Sequence, residues 1–181
     1  MSSSRADDVT VGVAVAVPEP FASELRDYRA SYGDPRAATV PTHVTLLPPT
    51  RLQSACLSPV HEHLSGVAAR HRCFSMRLRG TGTFRPVSPV VFAAVALGIS
   101  ECELLAESVC SGPLAVEVPF PYHPHVTVAH DVGGSELDRA FDELADYDAA
   151  FDVDAFTLYV HDVSHGWRAD TTFELRQDRP R

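Results

Sequence analysis

Two short segments of this chain each place a threonine two positions after a histidine. They read Pro-Thr-His-Val-Thr-Leu at 41–46 and Pro-His-Val-Thr-Val at 124–128. Side chains alternate between the faces of a strand, so His43 and Thr45 point to one side, and His125 and Thr127 repeat that geometry. Two imidazoles and two hydroxyls offered to a common site suit proton transfer at a phosphate, because the unperturbed imidazole pKa lies near neutrality.

The sequence around these motifs predicts an α+β chain with two similar halves. Each half reads strand, helix, motif strand, helix, strand, and the two copies lie 82 positions apart (125 − 43). This duplication predicts one domain over residues 1–181, with lobes at about 9–85 and 88–176 built from antiparallel-rich sheets and outer helices. Exchange of strands between the lobes is left open. A pseudo-twofold relation would place the two motif strands opposite each other across a central cleft.

Local patterns predict where individual elements begin and end. The first motif strand is expected over 39–47, with Pro48-Pro49 as its stop, and Gly80 and Gly82 are expected to mark a turn. Residues 151–160 read as a single strand near the C-terminal end. The helix that runs to about residue 71 is expected to bury one apolar face, made of Val60, Leu64, Val67 and Ala68.

The charge of the chain restricts its chemistry. All 15 basic residues are arginine, which excludes a Walker-type P-loop, a Schiff-base lysine and a ligase that carries its nucleotide on lysine. Segment 131–154 holds nine acidic residues and one arginine, and so accounts for most of the net charge of −9. An acidic chain favours short or small substrates over long structured RNA, because phosphate contacts need cations.

Four cysteines lack metal-site spacing and are interpreted as reduced thiols of a cytosolic protein. The apolar run at 9–17 is too short to span a bilayer and lacks the basic residues that lead a signal peptide. We therefore expect a cytoplasmic monomer with no membrane partner.

The segments PTHVTLLP and PYHPHVTVA resemble the paired His-x-Thr/Ser motifs of the 2H phosphoesterase superfamily, which includes 2′-5′ RNA ligases and RNA 2′,3′-cyclic phosphodiesterases. The resemblance extends to LRGTGTF at 78–84, the apolar strand after it and a late strand with Trp167. It implies that all four motif residues line one cleft. It also implies a phosphoesterase that opens 2′,3′-cyclic phosphates, on RNA ends or on small cyclic nucleotides.

Such a reaction needs a base for water and an acid for the leaving sugar oxygen. We expect His125 to be the base and His43 the acid, with Thr45 and Thr127 as hydroxyl donors to the phosphoryl oxygens. With an arginine, these donors would make a metal or other cofactor unnecessary.

Four further residues are candidates for substrate binding. Tyr122 and Phe92 could stack on a base, although core packing is the ordinary interpretation of Phe92. Arg85, beside the glycine-rich segment, is a candidate phosphate or ribose contact. His130 stands where many of the resembling proteins carry an arginine, and imidazole replaces that cation only when it is protonated.

Two alternatives remain open. One is a binding module for RNA or nucleotides that retains the fold without catalysis. The other is a metalloenzyme that uses His123, His125 and His130, or the pair His61 and His63, as ligands. The spacing of His61 and His63 points them apart on a helix, which disfavours that pair.

Overall fold

The computed structural model describes residues 8–117, 119–162 and 164–177. In these ranges the strands are β1 (Asp8–Ala16), β2 (His43–Gln53), β3 (Phe74–Thr83), β4 (Val90–Leu97), β5 (His125–His130), β6 (Asp148–Val153), β7 (Ala155–Asp162) and β8 (Gly166–Glu174). The helices are α1 (Phe21–Ser31), α2 (Leu57–Arg70), α3 (Ile99–Val109) and α4 (Gly134–Glu143). No helix in the described ranges has the length and apolar character needed to cross a membrane.

The strands form two antiparallel sheets of four strands each within the described chain. The first sheet has the order β2-β1-β7-β8 and the second has the order β5-β4-β3-β6. The predicted α+β class with antiparallel sheets is therefore confirmed. Each sheet takes strands from both halves of the chain, since β3 joins the second sheet while β7 and β8 join the first.

The two motif strands have the same local structure. In β2 and in β5 the first six residues follow one burial order: partly exposed, buried, partly exposed, then two buried residues and a partly exposed one. Each strand carries a bulge just after its threonine, with Leu46 extra relative to β1 and Val128 extra relative to β4. The shared bulge shows that the predicted sequence duplication extends to the backbone of the two motif strands. β2 also contacts β5 across the molecule.

A continuous apolar core joins the sheets to the helices that cover them. β1 is nearly all valine, alanine and glycine because it lies between two strands and is buried through its middle. Helix α2 buries the face predicted from its spacing, made of Val60, Leu64, Val67 and Ala68. Burial of each larger side chain of this face contributes about 1.5–3 kcal/mol to folding.

Three predicted boundaries are wrong. β2 runs through Pro48 and Pro49 because it is an edge strand of its sheet, where proline is tolerated. β3, which lies inside its sheet, also continues past Gly80, although that residue has a positive φ of 69°, and through Gly82. The single strand predicted over 151–160 is two strands: it breaks at Asp154, and β6 and β7 belong to different sheets.

Candidate active site

The two motif imidazoles are held in the same way. His43 and His125 are the first residues of β2 and β5. The Nδ1 atom of His43 lies 2.6 Å from the Pro41 carbonyl oxygen, and the Nδ1 atom of His125 lies 2.7 Å from the His123 carbonyl oxygen. A carbonyl oxygen only accepts, so Nδ1 carries the proton in both rings. The neutral form of each ring therefore keeps a lone pair on Nε2.

Both imidazoles are harder to protonate than a free histidine. Burial is the main cause that lowers the pKa of His43; the Pro41 hydrogen bond partly offsets it and the Arg29 charge adds to it. Burial also lowers the pKa of His125, the His123 hydrogen bond opposes this, and the charges of His123 and His43 lower it further. A proton on one motif imidazole therefore disfavours a proton on the other.

The four motif residues border two adjoining cavities. The larger cavity, of about 530 Å³, is lined by His43, Thr45 and Thr127. The smaller cavity, of about 320 Å³, is lined by Thr45 and His125. Because Thr45 lines both cavities, the structure brings the predicted catalytic residues to one cleft between β2 and β5.

Phe92 packs against the second imidazole. Its ring is in the core, with 5% of the residue exposed, and its centroid is 5.1 Å from that of His125. Phe84 packs against both, at 4.6 Å from Phe92 and 4.9 Å from His125. The structure therefore gives Phe92 the core-packing role, and a nucleobase has no access to its face.

Tyr122 is anchored to the first motif strand. It lines the smaller cavity, and its hydroxyl donates a hydrogen bond of 2.9 Å to the Thr45 carbonyl oxygen. Burial raises the pKa of this hydroxyl, so it stays protonated and continues to donate. The contact ties the loop before β5 to the residue shared by both cavities.

Arg85 is held by residues that line neither cavity. Its guanidinium pairs with Asp138 at 2.7 Å and contacts the Thr83 hydroxyl at 3.3 Å. In the part of the chain that the structure describes, Arg85 is not in the lining of either cavity.

His130 reaches the larger cavity because of the bulge in β5. Strict alternation from Thr127 would turn it to the opposite face, but the extra residue Val128 resets the alternation. Its Nε2 atom lies 3.3 Å from Asp131. Burial is the largest cause that lowers the His130 pKa, and the Arg36 charge is the next largest. The charge of Asp131 acts in the opposite direction and raises this pKa.

Several residues of the larger cavity carry no motif that marks them in the sequence. Arg29 and Arg36 lie near its His130 end, and Tyr159, His161 and Trp167 line it from β7 and β8. The arginines come from the segment between β1 and β2, so no local spacing connects them to the second motif. Only Trp167 had a signal, through the family resemblance.

The two helical histidines of the metal alternative have other partners. His61 pairs with Asp170 at 2.9 Å, and the Nε2 atom of His63 lies 3.1 Å from the Val109 carbonyl oxygen. Among the described residues, no three His, Cys, Asp or Glu side chains are arranged to hold a metal ion.

Comparison with known proteins connects this geometry to a family. The family model described as the 2′-5′ RNA ligase superfamily matches residues 17–165. A Geobacillus kaustophilus protein named "Putative phosphoesterase" is 26% identical over 164 residues, which cover 90% of this chain and 94% of that protein. A Bacillus mycoides protein of the same name is 25% identical over 170 residues, which cover 93% and 98% of the two chains.

Solved structures show the same fold. LigT of E. coli in complex with 3′-AMP superimposes with a TM-score of 0.70 at 18% identity, covering 94% of this chain and all of that one. TT0787 of Thermus thermophilus superimposes with a TM-score of 0.65 at 25% identity, with the same coverage.

Proposed function

This chain belongs to the 2′-5′ RNA ligase superfamily, within the 2H phosphoesterases, and from that premise we propose that it hydrolyses 2′,3′-cyclic phosphates without a metal ion. The substrates would be RNA ends or small cyclic nucleotides in the cytoplasm. The observation that carries the proposal is the pair of equivalent imidazoles, each with Nδ1 fixed on a carbonyl oxygen and Nε2 left for the cleft.

The proposed reaction uses one imidazole as base and the other as acid. Nε2 of His125 accepts a proton from water as the water oxygen bonds to phosphorus. The bond from phosphorus to one ribose oxygen breaks, and Nε2 of protonated His43 gives that oxygen its proton. Thr45 and Thr127 donate hydroxyl hydrogen bonds to the non-bridging oxygens, where negative charge increases.

The lowered imidazole pKa values fit this scheme. A neutral His125 is ready to act as base near neutral pH. The acid needs its proton, and a phosphate anion beside His43 raises the pKa of that imidazole. Substrate binding therefore prepares the acid in a site that otherwise disfavours it.

The cavities suit a nucleotide in size and surface. The larger cavity is within the range of small-molecule sites, and the rings of Tyr159 and Trp167 provide apolar surface for a base. The E. coli LigT structure holds 3′-AMP, a monophosphate of the kind that opening of a 2′,3′-cyclic phosphate releases.

The test is turnover of 2′,3′-cyclic AMP by the purified full-length protein in EDTA, with the product identified by chromatography. His43→Ala and His125→Ala should each abolish it, and His71→Ala is the matched control because His71 contacts Ser108 away from both cavities. Turnover that survives either motif substitution would refute the two-histidine assignment. Nucleotide binding without turnover in the unmodified protein would favour the binding module, and zinc-dependent turnover the metalloenzyme.

A further inference from the structure

The larger cavity contains two arginines that are held very differently. Arg29 is buried, and its Nε atom donates a 2.7 Å hydrogen bond to the Oδ2 atom of Asp34, which is also buried. The other carboxylate oxygen of Asp34 accepts from the Arg36 backbone nitrogen at 2.9 Å. The buried pair is therefore a structural support that fixes the turn from which the Arg36 side chain projects.

The Arg36 guanidinium is held by an exchangeable partner. Its Nη2 atom lies 3.0 Å from the Oδ2 atom of Asp131, with 43% and 53% of the two side chains exposed. Exposed ion pairs of this kind contribute only about 0–1 kcal/mol. A phosphate that accepts two guanidinium hydrogen bonds at once would compete well for Arg36.

Asp131 serves two groups at once. The same carboxylate oxygen that contacts Arg36 lies 3.3 Å from Nε2 of His130. Asp131 has a φ of 53°, a conformation that aspartate and asparagine tolerate better than most residues. One carboxylate is thus positioned between two side chains that can both donate to an anion.

The smaller cavity has the opposite charge. Glu103 and Glu107 line it from one face of α3, and its described lining contains no arginine. Negative charge on a substrate, beyond that of the phosphate at the histidines, is therefore attracted to the Arg36 side and repelled from the α3 side.

We propose that Arg36 and His130 form a second phosphate subsite at one end of the larger cavity, and that Asp131 occupies it until a ligand phosphate displaces the carboxylate. The substrate class is a nucleoside cyclic phosphate that carries a further phosphate monoester. This subsite rests on the proposed function for the position of the first phosphate, which lies at Thr45 and Thr127.

The test measures binding and turnover separately. Calorimetry at fixed ionic strength compares the affinity of adenosine 3′,5′-bisphosphate with that of 3′-AMP. The bisphosphate should bind about tenfold more tightly, as one charge-assisted bidentate contact allows. Arg36→Gln should remove most of this preference. Asp131→Asn should increase it, because asparagine keeps the backbone conformation and removes the competing charge.

Matched controls change the net charge without touching the cavities. Arg77 and Asp148 form an exposed ion pair between β3 and β6, so Arg77→Gln and Asp148→Asn should leave the preference unchanged. A preference that persists in Arg36→Gln would overturn the subsite, as would failure of both nucleotides to bind. An equal loss of affinity for both nucleotides would overturn it too, because Arg36 would then act on the first phosphate.

Turnover of 2′,3′-cyclic AMP distinguishes the two proposals. Turnover with no preference for the bisphosphate would overturn the subsite alone. An Arg36-dependent preference without turnover would support the subsite and overturn the proposed hydrolysis.

Discussion

A methyl group added at Gly82 should disturb catalysis through a buried ring. Gly82 on β3 lies opposite Phe92 on β4. A Cβ atom at this position would lie 2.5 Å from two carbon atoms of the Phe92 ring. That ring is buried, and its neighbours are Phe84 and the catalytic candidate His125. Gly82→Ala therefore pushes Phe92 toward the imidazole that the proposed mechanism uses as its base.

The size of the effect follows from these distances. Ordinary contact with a Cβ atom begins near 3.4 Å, so the ring must move by roughly 0.9 Å. Overpacking of this kind costs about 1–3 kcal/mol of stability, and each kcal/mol lowers the melting temperature by about 2–4 °C in a chain of this length. Misplacement of a catalytic group by about 1 Å costs up to about 100-fold in rate, so kcat should fall by about 10- to 100-fold.

The assay combines thermal unfolding with the kinetics of 2′,3′-cyclic AMP hydrolysis. Gly134→Ala is the matched control, because a Cβ atom there, in the first turn of α4, meets no atom within 4 Å. It should leave kcat unchanged and raise stability by up to about 1 kcal/mol. Phe92→Leu combined with Gly82→Ala should recover part of the lost stability.

Two outcomes would refute this reasoning. One is a Gly82→Ala variant with unchanged melting temperature and unchanged kcat. The other is strict additivity in the double variant, because residues in contact should show coupling. A loss of stability with unchanged kcat would refute the link from Phe92 to His125 and leave the packing argument intact.

Four other predictions concern the same cleft. Tyr122→Phe should cost about 1 kcal/mol of stability and lower kcat more than it raises KM, since it removes the bond to Thr45; an unchanged variant would point to base stacking instead. On a p-nitrophenyl phosphodiester, whose leaving group needs no proton, His43→Ala should retain far more activity than His125→Ala, and equal losses would contradict the acid and base assignment. The acid must carry a proton, and burial lowers the pKa of both motif histidines, so kcat/KM should fall as pH rises above about 6.5. A flat profile to pH 8 would contradict this. The lowered pKa values of these histidines also make the free energy of unfolding decrease as pH falls below about 6.5, because the unfolded chain then takes up protons that the folded chain does not. Denaturant titrations at several pH values measure this.

The motif strands and their shared face could be predicted because alternation is local. Two residues of separation fix the relation of His43 to Thr45 wherever the strand lies, and the repeated motif indicated a second, equivalent strand. The buried face of α2 follows from its own spacing for the same reason.

The remaining features depend on contacts between distant segments. The bulge at Val128, which turns His130 into the cavity, depends on the pairing of β5 with β4. Arg36 reaches Asp131 across 95 positions of sequence. Residues 151–160 read as one strand in the sequence but belong to two sheets, and this division depends on the packing of the whole chain.

The duplication also poses a chemical problem that the surroundings resolve. Two similar strands supply two equivalent imidazoles, whereas the proposed hydrolysis needs one with a proton and one without. Burial and, after it, the Arg29 charge lower the pKa of His43, while His125 packs against Phe84 and Phe92. Neither ring is therefore favoured as an acid by its protein surroundings. A phosphate anion beside His43 changes this for that ring first, because it offsets the cationic charge that opposes the proton there. The asymmetry that catalysis requires would then come from the substrate, directed by arginines that lie outside both motifs.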